Sequence, residues 1–119
     1  MSNIRILIAE DESLIAMMLE DFVDALGHSV VQIVDSVESG LNAVEELDFD
    51  VAILDVNLRD RQPSWPIADA LEVSGKPFFL TSGGDIEPPP GRHSQRLFVE
   101  KPFTLQGIDE AIKAVTGHS

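Results

Sequence analysis

The sequence predicts an α/β domain in which a parallel sheet is wound on both sides by helices. Five short, nearly continuous apolar runs have the character of strands buried on both faces. Amphipathic helical patterns lie between them. The length of 119 residues fits one domain with a single core and leaves no room for a second folded unit. Strands alternating with helices favour a parallel sheet over a set of hairpins.

The apolar runs are Ile4 to Ala9, Val30 to Val34, Val51 to Leu54, Phe78 to Thr81 and Leu97 to Val99. After the first, Leu14, Ile15, Met18, Leu19, Phe22 and Leu26 share a face and Gly27 is a stop, which predicts a helix over roughly Ser13 to Leu26. Ser36 is the expected N-cap of a second helix reaching Leu47 and carrying Val37, Leu41 and Val44. A third is expected from near Pro66, since proline suits the first helical turn, to Ser74 and Gly75. The last is expected from its cap Thr104 through Leu105, Ile108, Ile112 and Val115 to Gly117. Between the fourth and fifth strands, Gly83, Gly84, Pro88, Pro89, Pro90 and Gly91 oppose a continuous helix, so a loop is expected where the alternation calls for one.

Hydrophobic residues at 44% and charged residues at 24% describe a soluble globular domain, with no sign of disorder or a membrane span. The formal charge of −13, from 21 Asp and Glu against 8 Lys and Arg, argues against direct binding of nucleic acid or anionic lipid and favours proteins or cations as partners. No cysteine is present, which removes disulfides, thiolate metal sites and thiol nucleophiles. The first apolar run is too short for a signal-peptide core and leads straight into acids, so a cytoplasmic location is expected.

In an open parallel sheet, ligands bind beyond the carboxyl ends of the strands. Strand one is followed by Glu10, Asp11 and Glu12, strand three by Asp55, strand four by Ser82 after Thr81, and strand five by Glu100 and Lys101. Such a gathering of carboxylates repels itself unless a cation sits among them. Magnesium, which takes one or two carboxylates, keeps waters and accepts phosphate oxygens, fits best. Lys101 can then neutralise phosphoryl charge, the Ser82 hydroxyl can bond another oxygen, and Asp55 on the central strand is the natural nucleophile.

Here the residues resemble a known family. Ile6 to Glu12, Val51 to Leu58 and Lys101-Pro102-Phe103 look like the acidic, phosphoacceptor and lysine motifs of response-regulator receiver domains, and the match spans nearly the whole chain. The resemblance implies a flavodoxin-like sheet in the order 2-1-3-4-5, and a stand-alone receiver over residues 1–119 without an output domain. It implies a phosphoryl group transferred from a sensor histidine kinase to Asp55, with Mg2+ or Mn2+ held directly by Asp11 and Asp55, largely through water by Glu10, and by the main-chain carbonyl of Asn57. It also places the switch hydroxyl at Ser82, the switch aromatic at Phe98 and a cis bond between Lys101 and Pro102. Lys76 to Gly84 resembles in part the PFxFATG signature of a subset of alphaproteobacterial single-domain receivers. In those the fourth helix is often degraded and the kinases are of the HWE and HisKA2 classes. Leu80, Thr81 and Ser82 stand where that signature has Phe-Ala-Thr.

Each residue also has a plainer reading. Glu10, Asp11 and Glu12 suit the start of a helix by its dipole. Asp55 and Ser82 are ordinary turn residues, and a lysine before proline is usually solvated. Four such coincidences at the ends of four strands of one chain are what favour the receiver. His28, His93 and His118 read as isolated, and Asp48, Asp50, Asp60 and Asp85 as solvated loop acids. Of Met17 and Met18 one should face the core, and Trp65 should cover the third helix. The competing functions are an unphosphorylated interaction module with the same fold and a phosphohydrolase with an aspartyl-phosphate intermediate. The phosphohydrolase would want an acid where Asn57 stands, and a substrate cap. A flavin mononucleotide carrier is weaker, because acids occupy the place of its phosphate loop.

Overall fold

Every apolar run becomes a strand. The computed structural model describes residues 3–83 and 89–117. In it β1 (Arg5–Ala9), β2 (Ser29–Val34), β3 (Val51–Asp55), β4 (Phe78–Ser82) and β5 (Phe98–Glu100) form one parallel sheet in the order β2-β1-β3-β4-β5. The helices α1 (Ser13–Ala25), α2 (Val37–Glu46), α3 (Trp65–Ser74) and α4 (Leu105–Thr116) connect or follow the strands. Because β1, β3 and β4 are covered on both faces, alternate residues enter two cores. One packs Leu7, Leu54 and Leu80 against Val44 of α2 and Ile67 and Leu71 of α3. The other packs Ile8, Ile53 and Phe79 against Leu19 and Val23 of α1 and Ile108 and Ile112 of α4. Each such fully buried aliphatic contributes about 1.5–3 kcal/mol relative to exposure. The three central strands are thus clamped on both faces.

The helix ends follow their local chemistry. Ser36 caps α2 by accepting from Ser39 N at 3.1 Å, while Ser36 N donates to Ser39 Oγ at 3.2 Å. Thr104 Oγ1 accepts from Gly107 N at 2.9 Å and starts α4. Gly75 closes α3 at φ 73°, a conformation that glycine adopts without the penalty of a Cβ.

Some expectations fail. Leu14, assigned to the buried face of the first helix, is 79% exposed. At about 100° per residue it stands roughly 140° around the helix from Leu19, and Ala16, Leu19 and Val23 form the buried line instead. Leu41 and Leu105, counted among core positions, lie at the margins of their helices' apolar arcs and are exposed, while Gly40 and Ala43 take the inward positions of α2. Met18 is half-buried and Met17 exposed, as one of the two should be.

His93 is not isolated but fully buried. Its Nε2 lies 2.7 Å from Asp69 Oδ1 of α3, and its ring stacks on Trp65 at 5.7 Å and meets Phe78 edge-on at 6.3 Å. Trp65, expected in a loop covering the third helix, is instead the first residue of α3, packed against the core with His93 as its partner. Asp48 and Asp50 are not merely solvated either, since both pair with Arg5 at 2.7 and 3.0 Å. Of the stretch expected to lack a helix, residues 84–88 lie outside the described residues, as do Asp85 and His118. The rest of that stretch holds a single 3-10 turn at Gly91–His93 in place of a multi-turn helix.

The approach of α2 to α3 is close enough to test. A Cβ added at Gly40 would meet Ile67 Cδ1 at 2.3 Å and Cγ1 at 3.0 Å. Overpacking of this kind costs about 1–3 kcal/mol, against about 1 kcal/mol gained from helix propensity. Gly40→Ala should therefore lower the urea midpoint, and Ile67→Val in the same chain should restore part of it. A midpoint raised by Gly40→Ala alone would show that the two helices are not in contact.

Candidate functional site

The strand ends bring the charged residues together. Asp55 is the last residue of β3 and is 6% exposed, and Glu10, just beyond β1, is 2% exposed. Backbone bonds fix the neighbouring ends: Glu10 N donates to Val34 O at 2.9 Å, Val56 N to Thr81 O at 3.0 Å and Lys101 N to Ser82 O at 2.9 Å. The peptide bond between Lys101 and Pro102 is cis. Lys101 Nζ then reaches across the rim, 3.3 Å from Asp55 Oδ2, 3.2 Å from Glu10 Oε1 and 3.9 Å from Glu12 Oε1.

The carboxylates are crowded. Glu10, Asp11 and Asp55 each place an oxygen within 4.8 Å of the others, an arrangement able to hold a metal ion. Burial, and then the Asp55 charge, pushes the Glu10 pKa up to about 7. Burial likewise raises that of Asp55, against the pull of Lys101. Burial also works against the charge of Lys101, but Asp55 and Glu10 outweigh it and hold its pKa above the ordinary lysine value. Glu10 Oε1 is buried and accepts no aligned hydrogen bond despite the nearness of Lys101. A buried carboxylate oxygen that accepts no aligned hydrogen bond, beside two further carboxylates, belongs to a donor set that a hard divalent cation satisfies.

Asn57 lines, with Asp11, Asp55, Gly83 and Lys101, an open cleft of about 440 Å³. Ser82 ends β4 and is 2% exposed. Phe98 starts β5 opposite Leu80 and packs half-buried against the core on the side of α2 and α3. Sequence reasoning missed Asp60 and Arg61, which also line the cleft. The only available signal was their position a few residues after Asp55. It also missed the buried Thr81 hydroxyl, which has no partner and lies in register with Asp55.

A doubly wound sheet in this order, with an acidic rim and a lysine at its carboxyl edge, defines the flavodoxin-like receiver fold. No family model matches the chain, and no curated protein matches it. Among solved structures it is similar to SdrG from Sphingomonas melonis Fr1, at 45% identity over 97% of this chain and 98% of that one, with a TM-score of 0.87. It is also similar to the BeF3-activated conformation of SdrG from Pseudomonas melonis Fr1, at 44% identity over 98% and 99% with a TM-score of 0.81. The REC domain of the PhyR response regulator from Erythrobacter litoralis matches at 25% identity over 96% and 90%, with a TM-score of 0.83. The chain belongs to the response-regulator receiver family. Its receiver-domain relatives support a response-regulator role. No described helix is long and apolar enough to cross a membrane.

Proposed function

We propose that this receiver accepts a phosphoryl group on Asp55 from a sensor histidine kinase in the cytoplasm, with magnesium or manganese bound, and signals through protein contacts. The observation that carries this is the Asp55 carboxylate, nearly buried at the sheet rim with Lys101 Nζ 3.3 Å away and two further carboxylates beside it. The partial likeness of Lys76 to Gly84 to the PFxFATG signature supports a kinase of the HWE or HisKA2 class.

Glu10, Asp11, Asp55 and the Asn57 carbonyl would hold the cation, which supplies positive charge facing the phosphoryl oxygens. An Asp55 oxygen bonds to phosphorus as the bond to the donor's histidine nitrogen breaks, giving an acyl phosphate. Lys101 keeps its proton and meets the added charge. Ser82 then bonds a phosphoryl oxygen, a contact that exists in the phosphorylated state alone and so biases the position of Phe98. The likeness to a BeF3-activated relative supports this reading.

The test is intact mass after incubation with acetyl phosphate and magnesium. One phosphoryl group is expected, and none with EDTA. Asp11→Ala should slow uptake by about 100-fold, the upper end of what losing even a supporting group costs a metal site. Uptake unchanged by EDTA would defeat the metal assignment. No uptake from acetyl phosphate or any phosphorylated kinase would favour an unphosphorylated interaction module.

A further inference from the structure

The charge balance around the cleft is uneven. The chain carries 8 Lys and Arg against 21 Asp and Glu. Arg5, Arg59, Arg92, Arg96, Lys101 and Lys113 are each engaged by carboxylates. Lys76 donates to the Phe49 carbonyl at 2.8 Å and lies over the Phe49 ring. Arg61 alone has no ion pair, hydrogen bond or ring contact among the described residues, and it lines the same cleft as Asp55.

The backbone at Arg61 is held in an unfavourable conformation. Asp60 and Arg61 have φ of 60° and 56°, two successive non-glycine residues in the left-handed region. The loop is closed beneath them by the bridge between Asn57 and Pro63 and by Leu58 N donating to Gln62 O at 2.9 Å. Strain of this kind persists where the surrounding structure enforces it, and it is concentrated at functional sites.

The cleft needs such a group. A phosphoryl donor approaching Asp55 meets the carboxylates of Asp11, Glu12 and Asp60 along the walls. Lys101 is already surrounded by Glu10, Asp55 and Glu12. Among the described residues Arg61 is thus the uncommitted cation of the cleft, and a guanidinium matches two phosphoryl oxygens at once.

We infer that Arg61 binds the phosphoryl group of the incoming donor at the cleft mouth and sets how readily anionic donors are accepted. This rests on Asp55 being the phosphoacceptor. With acetyl phosphate, an Asp55 oxygen forms the new O–P bond. The P–O bond to the acetyl group breaks with its electron pair, acetate leaves, and no proton is exchanged.

The test compares wild type, Arg61→Gly and Arg61→Lys for phosphorylation by acetyl phosphate in magnesium, read by intact mass at several donor and salt concentrations. Glycine accepts the left-handed backbone, so Arg61→Gly should keep or raise the melting temperature. Its second-order rate should nonetheless fall about tenfold, with half-saturation raised and a flatter salt dependence. Arg61→Lys should recover part of the rate. Equal rates and equal salt dependence in wild type and Arg61→Gly would overturn the inference. So would a loss of rate in Arg61→Gly that lysine does not rescue at all. A wild-type chain that gains no mass from any donor would instead overturn the phosphoacceptor reading, and this inference with it.

Discussion

Asp55→Asn is expected to abolish phosphoryl uptake, with no mass gain from acetyl phosphate in magnesium at times when the wild type is fully labelled. The amide keeps the shape of the side chain but has no anionic oxygen to attack phosphorus. The substitution should not unfold the domain. Asp55 is a nearly buried carboxylate whose pKa is raised first of all by burial, so its charged form is held at a cost to stability. Lys101 would retain Glu10 at 3.2 Å. The melting temperature of Asp55→Asn should therefore hold or rise, and loss of labelling could not be assigned to misfolding. Labelling at the wild-type rate, or a phosphoryl group mapped to Asp11, would remove Asp55 from the role of nucleophile.

The site was legible because its parts stand at the ends of strands that announce themselves. Val51 to Leu54 and Phe78 to Thr81 are continuous apolar runs since both faces of β3 and β4 are covered, so the residue after each run is located almost without ambiguity. The topology rule then turns four sequence positions into one rim. What the pattern does not encode is depth. Glu10 and Asp11 are adjacent acids, yet one is 2% exposed and the other faces solvent, because only Glu10 continues the strand and bonds Val34.

Positions decided by distant partners were read poorly. His93 looked isolated because Asp69 lies 24 residues away along the chain. The left-handed turn at Asp60 and Arg61 gave no sign in the sequence, because neither aspartate nor arginine advertises such a backbone as glycine would. Leu14 misled for the opposite reason. An apolar residue beside a helical stripe looks like part of it until the packing shows which arc faces the sheet.

His93 should carry the largest effect on stability outside the two sheet cores. Where a fourth helix would run between β4 and β5, the described structure has the turn Gly91–His93 fastened to α3. Arg92 donates to both Asp69 oxygens, at 2.7 and 3.0 Å, and His93 sits between Asp69 and the rings of Trp65 and Phe78. His93→Ala empties a fully buried site and removes one of the partners of Asp69, which should cost about 2–3 kcal/mol by urea denaturation. The chain's single tryptophan reports on the same contact, so the native emission of Trp65 should shift as its stacked partner is lost. His93→Phe, which refills the space without the hydrogen bond, should recover more than half of the loss. The acid limb gives a separate check. The hydrogen bonds from Arg92, then that from His93, hold the Asp69 pKa down at about 2, below the ordinary carboxylate value. A depressed carboxylate contributes stability that is complete above its unfolded pKa of about 4 and is lost as pH falls toward the folded value. Asp69 is partly exposed, so solvent screening keeps this contribution small. Between about pH 4 and pH 2 the wild type should lose stability more steeply than Asp69→Asn. Identical urea midpoints for wild type and His93→Ala, together with parallel acid limbs for wild type and Asp69→Asn, would show that the turn is not fastened to α3 at all.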